Sequence, residues 1–257
     1  MEKPPIEALR QHSLGPVIRL WTMNRLLRFV SLAAILSGLG ATQLAAQDST
    51  VYLVHGIPGQ DINQPPELPV DVTFNGTCLF ANVPFGVIEG PLPCTPGPYL
   101  VEVRPADLLN PGSQPPLIVN NFQLEADISY AIVAHLTDTG ELALSSFVED
   151  LSPVTPERSR ATIHHVAYAT PADVEMHHKL GPEVVTMQGI TNGDQVGGEL
   201  LAGVWRMWLY SAGASEPRFG PYGLNLQQRT AYMIFGVGSF VNHTFTVLVK
   251  PVRVGRD

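Results

Sequence analysis

The sequence predicts an all-β protein: two tandem immunoglobulin-like antiparallel β-sandwich domains behind an N-terminal signal peptide. Three observations lead there. The 257 residues include 23 prolines and 23 glycines but only 15% charged residues, a composition of short strands and tight turns rather than of long helices. Several segments recur in the same order in the two halves of the chain. Within those segments apolar and polar residues alternate with the period of two that a half-buried strand requires.

Taken in order, residues 1–22 read as an upstream extension, because Met23 opens the three parts of a secretory signal spanning 23–46. Arg25 and Arg28 supply its positive charge, and Phe29 to Leu39 is an apolar run too short to span a bilayer as a mature helix. Leu44-Ala45-Ala46 offers cleavage after Ala46, with no cysteine there to mark a lipoprotein. The alternative is an uncleaved anchor. Cleavage would remove five of 15 basic and two of 23 acidic residues, leaving a formal charge of −11. That surface is repelled by anionic membranes. With no basic cluster beyond the N-terminus, nucleic acid is excluded as a partner. The expected location is exported: periplasm, cell surface or extracellular space.

The first domain spans 47–151, a linker with Pro153 and Pro156 spans 152–160, and the second domain spans 161–257. Val51-Tyr-Leu-Val-His55 is matched by Ala161-Thr-Ile-His-His165, and Pro69-Val-Asp71-Val by Pro171-Ala-Asp173-Val. Tyr99 to Ala106 is matched by Trp205 to Ala212, and Ser129-Tyr-Ala-Ile by Ala231-Tyr-Met-Ile. In the first copy Val70, Val72 and Phe74 alternate with Asp71 and Thr73. Asn75-Gly76 then supplies the positive φ angles of a two-residue hairpin, and Thr77 to Val83 returns. Pro96-Gly97-Pro98 launches the strand from Tyr99. About seven strands per copy fit a sandwich, with a closed barrel as the rival. The loop Gly56 to Pro69 is long in the first copy and short in the second, an asymmetry that suggests function in the first.

Val51-x-x-Val-His55, Pro-x-Asp-Val, Asn75-Gly76, Phe85-Gly86 and Pro-Gly-x-Tyr99-x-Val-x-Val-Arg-Pro-Ala106 together resemble a family of secreted bacterial tandem repeats known only as a domain of unknown function. The likeness covers nearly all of 50–257 and is looser in the second copy, which lacks the Phe-Gly step and keeps Leu201-Ala-Gly203. The first copy departs at Cys94, where the family has an apolar residue, and in its longer first loop. The resemblance implies an exported pair of β-sandwiches at the cell surface or in the periplasm, and it implies no activity.

Cys78 and Cys94 read as one disulfide in an oxidising compartment, worth roughly 3 kcal/mol in the chain-entropy model. The alternative is two buried thiols, and a redox site would need a closer pair. His164-His165 and His177-His178 are adjacent pairs. One member of each, His165 and His177, could join Asp173 or Glu175 around Zn or Cu, against the plainer reading of His165 as a core-edge residue hydrogen-bonded in its sheet. His55 with Asp71, and His165 with Asp173, could each be half of a nucleophile triad, but no nucleophile motif is present and a duplicated structural hydrogen bond is the simpler account. Gly236-Val-Gly238 lacks both the third glycine and the helix of a dinucleotide site, so no cofactor is expected. Glu149-Asp150 reads as a solvated turn.

Trp205 and Met207 share one strand face, Trp208 and Tyr210 the other. One face must be core. The other, if uncovered, is a platform for a glycan or protein partner. The sequence thus points to a non-enzymatic exported binding or assembly module, with a second-domain metal site as the alternative.

Overall fold

The computed structural model describes residues 47–255, so the extension, the signal and its cleavage site at Ala46 lie outside the described residues. Eight strands build each half. The first comprises β1 (Ser49–His55), β2 (Val70–Phe74), β3 (Thr77–Val83), β4 (Ile88–Cys94), β5 (Gly97–Pro105), β6 (Ile118–Leu124), β7 (Ser129–Leu136) and β8 (Leu142–Glu149). The second repeats them as β9 (Arg158–His165), β10 (Ala172–His178), β11 (Val184–Ile190), β12 (Gln195–Leu201), β13 (Gly203–Ser211), β14 (Pro217–Leu226), β15 (Thr230–Val237) and β16 (Thr246–Arg253).

The two halves share one topology. Sheet β4-β1-β7-β8 faces sheet β3-β2-β5-β6, and β12-β9-β15-β16 faces β11-β10-β13-β14. The duplication extends to the register. Val51 lies beside Tyr130 and His55 beside Ala134 in a parallel pair, as Ala161 lies beside Tyr232 and His165 beside Gly236. Tyr130 and Tyr232 also share a device of Greek-key sandwiches, each hydroxyl accepting a backbone N–H five residues upstream, from Glu125 and Gln227. Asn75 and Gly76 both have positive φ and close the β2–β3 hairpin.

Each half thus has one strand more than expected. The additional strands, β4 and β12, are edge strands carrying Gly90, Pro91 and Pro93 in one copy and Gly197-Gly198 in the other. Such residues are tolerated at an edge but conceal a strand in the sequence.

Inside the first sandwich Leu53, Val72, Val103 and Ile132 meet across the two sheets, and inside the second Ile163, Met176, Trp205 and Ile234 do the same. A third core joins the halves. Tyr52, Val54, Val133 and Phe147 pack against Met233, Phe235 and Val237. The sheets led by β1 and β9 therefore lie back to back, giving four layers. Their central strands are buried on both sides, which is why β7 and β15 read as nearly continuous apolar runs.

Polar contacts complete this seam. Asn192 Nδ2 donates to Leu136 O at 2.9 Å and Ala167 O at 2.8 Å, and Thr244 Oγ1 donates to Asp61 Oδ2 at 2.7 Å. His164 stacks on Phe235 with ring centroids 4.2 Å apart, and its Nε2 lies 2.8 Å from Glu149 Oε1. The two buried atoms are in contact without forming a well-aligned hydrogen bond. The expected solvated turn is thus split: Glu149 is buried in the seam, while Asp150 is exposed and pairs with Arg160 at 3.2 Å. Burial between two apolar sheets decides Glu149, because the strand's alternation points it inward.

Candidate functional site

His55 ends β1 fully buried. Its Nε2 donates to Leu68 O at 2.8 Å while Nδ1 accepts the Ile57 N–H at 3.4 Å. His165, its counterpart, donates from Nε2 to Thr170 O at 3.2 Å. Leu68 and Thr170 each precede the proline of the Pro-x-Asp-Val motif, so in both copies the histidine fastens the exit of the same loop. Burial drives His55 down to about 4 and lowers His165 and His135 as well, which keeps these rings neutral near pH 7.

The aspartates hold other loops. Asp71 accepts the N–H groups of Asn82 at 2.9 Å, Asp107 at 3.0 Å and Gly112 at 2.8 Å. Asp173 accepts those of Gly189 at 2.7 Å and Gly213 at 2.9 Å, and these bonds hold its carboxyl below the usual range. The half-triads His55–Asp71 and His165–Asp173 are therefore not formed: each residue faces backbone, not its supposed partner.

The metal grouping is likewise not assembled. His165 belongs to β9, whereas His177 lies on the outer face of the opposite sheet, where its Nε2 meets Glu175 Oε1. Among the described residues no three His, Cys, Asp or Glu side chains gather as ligands.

Nor is the Cys78–Cys94 disulfide present; both thiols are free. Cys78 sits in β3 with its Sγ on Phe80 O, and Cys94 is buried at the end of β4 in the facing sheet. Spacing along the chain brought the two into one loop, but the pleat points them to different places. Burial raises both thiols above their ordinary value.

The long loop Gly56 to Pro69 is structural. Ile57 and Leu68 are buried in the first core, with Ile62 packed against it, so the loop seals one end of that sandwich.

The open face is in the second domain. Trp205 and Met207 are core, at 0% and 1% exposure. Trp208 and Tyr210 project from the other side of β13, on the sheet turned away from the first domain, and both are half-buried. Across β10 the register sets Asp173 beside Tyr210, Glu175 beside Trp208 and His177 beside Arg206. The His177 and Trp208 rings meet edge to face at 5.0 Å, and Glu175 both bonds His177 and accepts from Tyr210, whose hydroxyl is pushed up by desolvation and by this carboxylate. On the other flank, β14 places Gly220, Pro221 and Gly223 beside them. A Cβ at Gly220 would meet the Met207 carbonyl oxygen at 2.6 Å and the Trp208 ring at 3.3 Å, and one at Gly223 would meet open space. The result is an indole flanked by a carboxylate, an imidazole and a guanidinium, next to a strand that has glycine at 220 and 223.

The fold and this face define a paired β-sandwich module. Residues 49–175 match the family model of a domain of unknown function (DUF4397). The match covers the first sandwich and the opening strands of the second. None of the curated proteins matches the chain. Among solved structures it is similar to the Bacillus anthracis TIE protein, at 10% identity and a TM-score of 0.25, over 74% of this chain and 50% of that one. It is also similar to a protein of Bacteroides ovatus provisionally assigned to cell adhesion, at 12% identity and a TM-score of 0.21, over 83% of this chain and 99% of that one. The chain spans about half the length of the TIE protein. At these scores neither likeness bears on function. No helix among the described residues is long and apolar enough to cross a membrane.

Proposed function

We propose that the protein is a non-enzymatic binding module, exported to the periplasm, cell surface or extracellular space, that holds a saccharide on the outer face of its second domain. The observation that carries this reading is Trp208 with Glu175, His177 and Arg206 around it, on a sheet that the domain seam leaves uncovered. A sugar ring offers C–H groups to an aromatic face and hydroxyls at its rim. Indole meets the first, and the planar polar side chains meet the second through charge-assisted hydrogen bonds. Gly223, beside Arg206 and with open space where a side chain would stand, leaves a ring room to lie flat. The histidines and aspartates that might have served catalysis are bound to backbone, which supports the non-enzymatic reading.

The test is tryptophan fluorescence of the exported protein during titration with neutral oligosaccharides built from glucose and from N-acetylglucosamine. A saturable change is expected, weakened at least tenfold in Trp208→Ala with little change in melting temperature. No response to any of them, or undiminished binding by Trp208→Ala, would refute the reading.

A further inference from the structure

The two sandwiches differ most at the end beside His55 and His165. In the first, the loop after β1 drops Ile57 and Leu68 into the core. In the second, the equivalent loop is only Val166 to Thr170, and its large side chains go elsewhere: Val166 into the seam between domains and Tyr168 against the first core, leaving the small Ala169 and Thr170 toward its own. The space the plug fills in one copy is therefore left in the other as a cavity of about 40 Å³. Its walls are apolar, formed by Ile163, Met207, Ile234 and Phe245, with Phe240 stacked on Phe245 at 4.0 Å.

Its rim is polar. Arg218 is exposed, lies over the Phe240 ring at 5.4 Å and donates to Ser211 Oγ at 3.4 Å, with Thr170 Oγ1 also on Ser211 at 3.5 Å. Arg218 forms no ion pair with any described carboxylate. A guanidinium held by an aromatic ring and a hydroxyl beside a mostly apolar pocket selects a ligand with a short apolar tail and an anionic planar head. The volume holds about three water-sized spheres, the reach of a short alkyl chain.

We infer that the second domain binds a short-chain carboxylate, with the alkyl tail between the sheets at Ile163, Met207 and Ile234 and the carboxylate on Arg218. The site lies at the sandwich end; Tyr210 borders it as well as the outer face, but Trp208, Glu175, His177 and Arg206 do not line it, so it does not depend on the saccharide reading.

The experiment is calorimetric titration of the exported protein with sodium hexanoate and, separately, with hexan-1-ol, alongside ¹³C-methyl NMR of the methionines. Hexanoate is expected to bind at least tenfold more tightly than the alcohol and to shift the Met207 methyl. Arg218→Met should remove that preference. Ala169→Leu, which mimics the plug of the first domain, should abolish binding and raise the melting temperature by about 2–4 °C. If Ala169→Leu does not fold, the Met207 shift in the natural sequence reports the same site. Trp208→Ala should bind hexanoate normally whether or not it binds sugars. Equal affinity for hexanol, no Met207 shift, full binding by Ala169→Leu or lost hexanoate binding in Trp208→Ala would each overturn the inference.

Discussion

Replacing Asp71 with alanine should cost the protein about 3 kcal/mol, and replacing Asp173 clearly less, although the two occupy the same place in the repeat. Asp71 is 1% exposed and is the sole side-chain acceptor for three backbone N–H groups, at Asn82, Asp107 and Gly112. A hydrogen bond to a charged group is worth about 1.5–3 kcal/mol, and each orphaned donor adds a penalty unless water reaches it. The loop after β5 can lift and admit water, which holds the total well under the sum of three such bonds. In a cooperative unit of this size the loss corresponds to a fall in melting temperature of about 6–12 °C. Asp173 accepts only two N–H groups, at Gly189 and Gly213, and its carboxylate is open to solvent that can replace it. Calorimetry of both variants, with amide hydrogen exchange, separates the cases. In Asp71→Ala the amides of Asn82, Asp107 and Gly112 should lose protection together. A loss for Asp173→Ala as large as that for Asp71→Ala, or unchanged exchange at Asn82, would refute the reasoning.

Acid should weaken the fold before the carboxylates titrate. His55 takes a proton at about 4 when folded and near 6.5 when unfolded. Between those values the unfolded chain holds more protons, so stability is whole above pH 6.5 and falls as pH drops toward 4. The loss approaches about 3 kcal/mol. His135 and His165, lowered by burial too, add in the same direction. Urea unfolding at a series of pH values measures this, and a flat profile from pH 7 to 4 would contradict it. Intact mass of the purified chain should retain both thiol hydrogens, with Cys94 reacting slowly with a thiol reagent until the fold is opened; a bridged species would count against the free-thiol arrangement. Glu149→Ala leaves the buried His164 Nε2 without its neighbour in the domain seam and should cost about 1–3 kcal/mol, whereas Glu149→Leu with His164→Leu should be near neutral by denaturant unfolding.

Much of the architecture is legible in the sequence because strand alternation and turn chemistry are local. Val70 to Phe74 with Asn75-Gly76 gives a strand and its hairpin directly, and the faces of Trp205 and Trp208 follow from a period of two. What escapes is non-local. The edge strands β4 and β12 hide behind prolines and paired glycines. The domain seam is written in Ala131-Ile132-Val133-Ala134, a run without alternation because both its faces are buried, but such a run does not name its second partner. The cysteines mislead because fifteen intervening residues say nothing of which sheet each joins. The half-triads mislead because His55 and Asp71 are repeated together for two separate backbone bonds, not for one shared contact.

The loop asymmetry is the most instructive case, since its sign reverses in three dimensions. Because the sheets led by β1 and β9 are fused back to back, a ligand can reach only the outer sheets, the edges and the ends of the sandwiches. In the first copy two of these are occupied by its own chain. The loop after β1 plugs the end, and the loop after β5 folds over the outer sheet, with Gly112 against Thr73 and Cys78, and offers the apolar tip Leu108-Leu109 instead of a sheet face. In the second copy both equivalents are short. Ala212 to Glu216 leaves the outer face with Trp208 uncovered, and Val166 to Thr170 leaves the cavity beside Arg218. A duplicated fold that keeps each fastening histidine and aspartate while shortening the two loops that cover its surfaces gives up the core plug and one of the three aspartate bonds, and what it gains is open space. That is why the second domain, with the plainer loops, is where binding is to be sought.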